Sequence, residues 1–375
     1  MPSPSLRVAL VGLGFAASQM HLPALATFPD VLVVGACDLD STRRANAARQ
    51  WNIATFDDFE KMLATTGPDV VVIATPPHFH AEQCRRSLAA GAHVICEKPF
   101  VSSVEDADRV IDAANQVGRQ VALNHEFREM PIFRAVLNAA SATGSADVRF
   151  AQVVQLIDLP PSEESGWRGQ LVHRGLYEAG VHLVDYVLAV FGELPVAVSA
   201  TMASGTGGSA YHDAVSLVTL EFPGGRLAQL TQYRLAKGEP QYFEARVETS
   251  RESLRASFGG RARLSLGLYR TSRPHLRFEF GISGLAWREC GGRRLYLARN
   301  PRQPREVATR ELLTKTLRAF REGTSPPASA EDGRDVLKVI AACYHSASTG
   351  SRVRLDLPDN EGVLVNLPMG TPASP

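Results

Sequence analysis

No charge of one sign dominates this chain: 40 lysines and arginines face 39 aspartates and glutamates, leaving a formal net charge of +1 over 375 residues. That balance argues against a dedicated nucleic-acid binder and against a polybasic membrane-surface protein, and it points to a small-molecule partner. Cysteine is scarce as well. Cys37, Cys84, Cys96, Cys290 and Cys343 are odd in number and nowhere spaced C-x-x-C. Neither a disulfide framework nor a zinc knuckle is expected, and a reducing cytoplasm fits best. A long apolar run is also missing. The longest uncharged stretch, 8–29, is interrupted by Gly12, Gly14, Gln19, His21 and Pro23, so it does not reach the roughly 20 apolar residues of a membrane span. Only Arg7 precedes it, and no small-residue cleavage site follows a clean apolar core, so it is not read as a signal peptide.

What is present is a folded chain, with 45% hydrophobic and only 21% charged residues, long enough for two cores. Residues 1–126 alternate apolar runs with helically spaced stretches, the pattern of a parallel sheet wound with helices. Strands are expected at 6–11, 31–37, 69–74, 92–96 and 120–124, with helices at 16–28, 41–50, 56–64, 81–90 and 104–117. From 127 to 356 the rhythm changes to period-two strands at 146–156, 196–202, 214–222 and 226–234, the last two joined by a Pro223-Gly224-Gly225 turn. Helices are expected at 176–191 and 330–346, and residues after 357 read as a surface tail. The fold class is therefore α/β: an amino-terminal dinucleotide-binding Rossmann domain, then an α+β domain with a large, mostly antiparallel open sheet. Such a sheet needs cover for its second face, so a homodimer or homotetramer is expected.

Between 251 and 310 lie fourteen arginines, no lysine and four glutamates. Arg261, Arg263 and Ser265 alternate with apolar residues and so share a strand face. A solvated or subunit-facing surface is the preferred reading, ahead of a site for a phosphorylated or nucleotide-linked substrate.

Chemistry begins at Gly12-x-Gly14-x-x-Ala17, which follows a strand and opens a helix. Gly12 permits the tight turn, Gly14 lets the backbone approach a pyrophosphate, and Ala17 lets the helix pack closely. The helix start then favours negative charge. Asp38 ends the second strand about 20 residues on, where a carboxylate accepts hydrogen bonds from ribose hydroxyls. This favours NAD, while Arg43 and Arg44 just behind could reach a 2′-phosphate and keep NADP open. Asp40 or Ser41 is the expected helix N-cap. Thr75-Pro76-Pro77 stops the third main strand, and His78 and His80 are read as packing or capping residues rather than metal ligands; no metal is expected. Glu97-Lys98-Pro99 ends the next strand, with Pro99 a candidate for a cis bond.

These motifs, ATPPHFH, CEKPF, Gly166-Trp167-Arg168, GLYEAGVHLVDYVLAVFG and SAEDGRDVLKVIAACYHSASTG, in this order, resemble the glucose-fructose oxidoreductase/inositol dehydrogenase (Gfo/Idh/MocA) family almost end to end. The resemblance implies a nicotinamide-dependent oxidoreductase acting on sugars, cyclitols or sugar nucleotides. It implies Lys98 as the family's E-K-P lysine, His182 as the histidine of its D-x-G-x-H segment, and Glu178 where the family carries Asp. Glu178 and His182, four apart, share a helix face. The expected cofactor set is Gly12, Gly14, Phe15, Ala17, Asp38, Arg43, Thr75, Pro76, His80, Glu97 and Lys98; the expected substrate set is Arg128, Trp167, Arg168 and His182, with an interdomain salt bridge an equal reading for Arg128.

In this reading His182 removes a hydroxyl proton as hydride leaves for the nicotinamide, Lys98 stabilises the developing alkoxide, and Glu178 holds Lys98 or a substrate hydroxyl. Asp185 is read as a helix-side structural acid. Two other classes remain open: an NAD-using glycosidase with no net redox change, and a non-catalytic dinucleotide-binding sugar sensor.

Overall fold

Val8, Ala9 and Leu10, and the run Val70, Val71, Val72 and Ile73, are wholly inaccessible, as central strands covered on both faces by helices must be. The computed structural model describes residues 5–158, 167–168, 171, 174–205, 213–237, 241–258, 262–267, 275–280 and 284–355. Arg261, Gly166 and the expected tail lie outside the described residues. The chain divides into two units, Met1–Glu126 with Arg305–Leu337, and Phe127–Pro304 with Lys338–Pro375. The sequence reading runs the second domain unbroken from 127 to 356, whereas the stretch Arg305–Leu337 groups with the first unit.

The first unit contains β1 (Leu6–Val11), a π-turn (Ala17–His21) running into α1 (Leu22–Leu25), β2 (Val31–Cys37), α2 (Ser41–Trp51), β3 (Thr55–Phe56) and α3 (Phe59–Thr66). It continues through β4 (Val70–Ile73), α4 (His80–Ala89), β5 (His93–Cys96), α5 (Val104–Val117) and β6 (Val121–Leu123). All six strands are parallel, in the order β3-β2-β1-β4-β5-β6. Chain order reverses between β1 and β4, the crevice where such sheets bind ligands. The helix expected over 16–28 is shorter and partly π, because Pro23 cannot donate to residue 19. Asp40, Asp58 and Ser103 cap α2, α3 and α5 through side-chain oxygens.

In the second unit, α6 (Pro131–Thr143) precedes β7 (Val148–Ile157), a π-turn (Gly175–Ala179), α7 (Val181–Phe191), β8 (Ala197–Ala203), β9 (Val215–Phe222) and β10 (Arg226–Tyr233). Then come β11 (Gln241–Thr249), β12 (Ser253–Phe258), β13 (Ala262–Gly267), β14 (His275–Phe280), β15 (Leu285–Cys290) and β16 (Arg293–Arg299). After α8 (Pro304–Glu322) and α9 (Ala330–Thr349), β17 (Val353–Arg354) completes a nine-stranded sheet, β16-β15-β12-β11-β7-β10-β9-β8-β17. Among the described residues of this sheet, only β7 and β10 pair in parallel. Arg263 and Ser265 fall on β13, which pairs with β14 as a separate two-stranded sheet.

Helices α6 and α7 pack on this sheet, α6 against β11, β12, β15 and β16 and α7 against β7 and β10. Phe127, Phe133, Tyr186 and Phe243 form the aromatic centre, with Phe133 and Phe243 edge to face at 4.8 Å. Helix α8 was passed over in the sequence reading, yet its Leu313, Leu317 and Phe320 enter the core of the first unit beside Val8, Leu10 and Val70. The expected Leu176–Phe191 helix opens as a π-turn because the Asp213 carboxylate takes the backbone N–H groups of Arg174, Gly175 and Leu176. Among the described residues no helix is long and apolar enough to cross a membrane.

Candidate functional site

Three strand ends meet at the switch point. Gly12, just past β1, has φ +86°, and a Cβ there would sit 2.6 Å from the Ala74 carbonyl carbon at the end of β4. Only glycine lets these two backbones approach so closely. Its N–H donates to the Cys37 carbonyl at 2.8 Å. A Cβ at Gly14 would meet nothing within 4 Å, so the backbone there faces open space. Phe15 is 71% exposed and Ala17 is fully buried against the sheet.

Asp38 leaves the end of β2 with its carboxylate accepting the Leu13 N–H at 2.7 Å and the Asp40 N–H at 2.8 Å. This holds the carboxylate beside the glycine turn. Arg43 lies 3.6 Å from the Asp38 carboxylate and 3.7 Å from that of Asp40, and Arg44 donates to the Asp38 and Leu39 carbonyls. The nearest cations are thus drawn onto carboxylates and main chain. Thr75 and Pro76 are half-buried at the end of β4, with the Thr75 hydroxyl donating to Gln83 at 2.6 Å. A glycine cradle, open space at Gly14 and an anchored carboxylate fit a dinucleotide whose ribose hydroxyls reach Asp38.

Two expected cofactor residues turn inward instead. His80 is fully buried, with Nδ1 2.8 Å from the Phe100 carbonyl and Nε2 2.8 Å from the Thr75 carbonyl. Burial pushes its pKa below the usual histidine range, the carbonyls opposing. Its ring ties two strand ends together and presents no edge to a ligand. Glu97 is also buried, its carboxylate 2.7 Å from His21 Nε2 and accepting from Asn124 Nδ2 at 2.7 Å. Burial raises this carboxyl, but His21, the Lys98 charge and Asn124 outweigh it and hold it below the usual range. Glu97 therefore anchors the loop from which half-buried Lys98 projects, and the Lys98–Pro99 peptide is cis.

Beside them sits Glu126, which the sequence reading passed over. It is 5% exposed and one carboxylate oxygen has no hydrogen-bond partner. Burial, aided by the Glu97 charge, pushes its pKa up to about 7, with Lys98 and Arg305 opposing.

In the second unit His182 is 5% exposed on α7 and stacks on Phe127, ring centroids 4.2 Å apart. Three residues on, Asp185 receives Arg128 side-on, from Nε at 2.9 Å and Nη2 at 2.5 Å. The expected substrate residue Arg128 is thus clamped to the buried Asp185 carboxylate. Trp167 is stacked by Arg168, whose guanidinium carbon is 4.5 Å from the ring centroid. One face of the indole expected to line a sugar is already covered.

Glu178, expected as a catalytic carboxylate, meets three guanidinium groups: Arg168 at 3.1 Å, Arg174 at 3.4 Å and Arg234 at 3.2 Å. Arg174 and Arg234, both missed, are 0% and 2% exposed. Arg234 had a signal in the sequence: it continues the buried parity of Ala228, Leu230 and Gln232 along β10. Arg174 had none. Among the described residues no cluster of three or more His, Cys, Asp or Glu side chains forms a metal site.

The six-stranded sheet and its glycine turn define a nucleotide-binding Rossmann protein. Family models agree: residues 6–125 match the Gfo/Idh/MocA oxidoreductase family, NAD-binding Rossmann fold, and residues 142–254 match the Gfo/Idh/MocA carboxyl-terminal domain. The chain belongs to this family, and its first unit carries the family's NAD-binding domain. It is 32% identical over 202 residues to D-glucoside 3-dehydrogenase of Escherichia coli, covering 51% of this chain and 56% of that protein. Like that one, several curated relatives are matched over little more than half their length. A longer match, 22% identical, covers 94% of this chain and 96% of scyllo-inositol 2-dehydrogenase (NADP(+)) of Bacillus subtilis. The fold is shared with the WlbA dehydrogenase of Bordetella pertussis, solved with NADH and UDP-GlcNAcA (TM-score 0.76, 18% identity, 95% of this chain and 99% of that chain).

Proposed function

We propose that the protein is a cytoplasmic, NAD-preferring oxidoreductase that moves a hydride between the nicotinamide ring and a secondary alcohol or keto carbon of a sugar-like substrate. The observation that carries this reading is the pairing of the Gly12 cradle with an Asp38 carboxylate anchored on the Leu13 N–H. That carboxylate accepts from ribose hydroxyls and repels a 2′-phosphate. The relatives named for glucoside and inositol oxidation support the substrate class.

When bound, the cofactor supplies the hydride acceptor or donor. The chain's residues do the rest. Gly12, Gly14 and Ala17 hold the pyrophosphate against main chain, with Thr75 and Pro76 beside it. Lys98, fixed by the Glu97 loop, orients the reacting hydroxyl and stabilises its developing negative charge. His182, its ring held against Phe127, takes the hydroxyl proton. Glu178 acts through the arginines it gathers rather than on the substrate.

Homo-oligomerisation is proposed through the open face of the nine-stranded sheet, where Leu217 and Leu227 are 47% and 42% exposed. The functional test is a spectrophotometric screen of sugars, cyclitols and sugar nucleotides with NAD and NADP in both directions. Net change at the reduced-nicotinamide band with NAD is expected. Substrate cleavage without net change would make the protein a glycosidase, and dinucleotide binding with neither would make it a sensor.

A further inference from the structure

The arginine cluster around Glu178 holds a buried guanidinium edge that no acceptor answers. Among the described residues it sets Arg168, Arg174 and Arg234 against Glu178 and Asp213. Asp213 is fully occupied by its own fold: it accepts the N–H groups of Arg174, Gly175 and Leu176, and the Tyr344 hydroxyl at 2.7 Å. Glu178 divides two oxygens among three guanidinium groups. One of those groups, Arg234, keeps a donor edge unanswered. Arg234 spends Nη1 on the Arg174 carbonyl and on Glu178, both at 3.2 Å, while Nε and Nη2 are buried with no hydrogen-bond partner.

Those two atoms carry the parallel N–H bonds of the guanidinium's side-on edge, the geometry that matches both oxygens of a carboxylate or two of a phosphoryl group. Arg128 uses the same edge on Asp185. A buried guanidinium with this edge unanswered is costly, and a neutral hydroxyl would satisfy one donor and none of the charge. We propose that the edge receives an oxyanion borne by the substrate, so that the substrate class is an acidic sugar, a sugar carboxylate or sugar phosphate, rather than a neutral hexose or cyclitol. This rests on the sugar-oxidoreductase reading and narrows it.

The test reads binding and not turnover, so the two readings fail separately. In calorimetry with NAD present, glucose, galactose and mannose are each offered as the neutral sugar, the uronate and the 6-phosphate. An acidic member binding at least tenfold tighter than its neutral parent is expected, and the better of the uronate and the phosphate identifies the oxyanion. Arg234→Lys keeps the charge but removes the fork, and should lose at least tenfold of that preference while retaining NAD binding. Equal affinity within each trio, or a neutral member binding tightest, overturns the proposal, and the wild-type comparison decides this even if the variant does not fold. Turnover of neutral sugars with no acidic preference would leave the oxidoreductase reading standing and sink this one.

Discussion

At the ends of β1, β2 and β4 the groups that shape the site are mostly main chain: the turn at Gly12, the Leu13 N–H and the Ala74 carbonyl, with Asp38 as the one anchored charge. In the second unit the site is built from long charged side chains, with Glu178 drawing in Arg168, Arg174 and Arg234, and Asp185 holding Arg128. The first arrangement is local and, on the proposed reading, suits a cofactor that presents a pyrophosphate and an unphosphorylated ribose. The second is assembled across the chain, from carboxylates and guanidinium groups far apart in sequence. On the proposed reading, cofactor recognition and substrate selection are carried by different materials, backbone in one unit and guanidinium groups in the other.

The largest expected effects come from the proposed chemical groups. Lys98→Ala and His182→Ala should each lower turnover by about 10²- to 10⁴-fold while leaving NAD affinity within a fewfold, measured by steady-state kinetics beside a fluorescence titration. A parallel loss of NAD binding would mean that these side chains belong to the cofactor grip.

Next comes the clamp in the second unit. Asp185→Ala removes the buried carboxylate that clamps Arg128 and should cost about 3–5 kcal/mol of stability, read by chemical denaturation. A cost below 1 kcal/mol would show the pair to be solvent-screened.

Glu126 makes the first unit pH-sensitive. Its carboxyl is raised from 4.5 to about 7 by burial, so the folded state favours the protonated form. The stability this gives is complete below pH 4.5 and lost as pH rises through 7, amounting to about 3 kcal/mol. Glu126→Gln should flatten that loss in denaturation curves between pH 5 and pH 8. An unchanged pH slope would remove Glu126 as its source.

The smallest effect expected is on cofactor choice. Asp38→Asn removes the repulsion of a 2′-phosphate and should narrow the preference for NAD over NADP by about tenfold, on the order of 1.4 kcal/mol. If NADP already binds the wild type more tightly, Arg43 governs the pocket.

How much was legible follows the same division. The glycine turn, Asp38 and the strands β1, β2 and β4 could be read because their signals lie within a few residues. Helix α5, Val104–Val117, was read to the residue from its apolar spacing, and the structure adds its Ser103 cap. Helices α6 and α8 were passed over although each opens on a proline at a first-turn position and α8 carries apolar residues at 308, 312, 313, 317 and 320. The inward role of Glu97 was not legible, and for Arg128 a salt bridge was legible but not its partner: His21 and Asp185 lie 76 and 57 residues away. Arg234 and Glu178 are 56 apart. Long-range ion pairs leave no local pattern, so a charged residue next to a motif reads as part of it even when it points elsewhere.

The central claim is hydride transfer from substrate carbon to the nicotinamide ring. It is tested most directly by incubating the enzyme and NAD with perdeuterated sugars, neutral and acidic, and weighing the recovered cofactor. The account predicts reduced NAD one mass unit heavier than that formed from the protiated sugar, with the label on the nicotinamide ring. A reduced cofactor without the label, or consumption of sugar with NAD recovered unreduced and unlabelled, would contradict it.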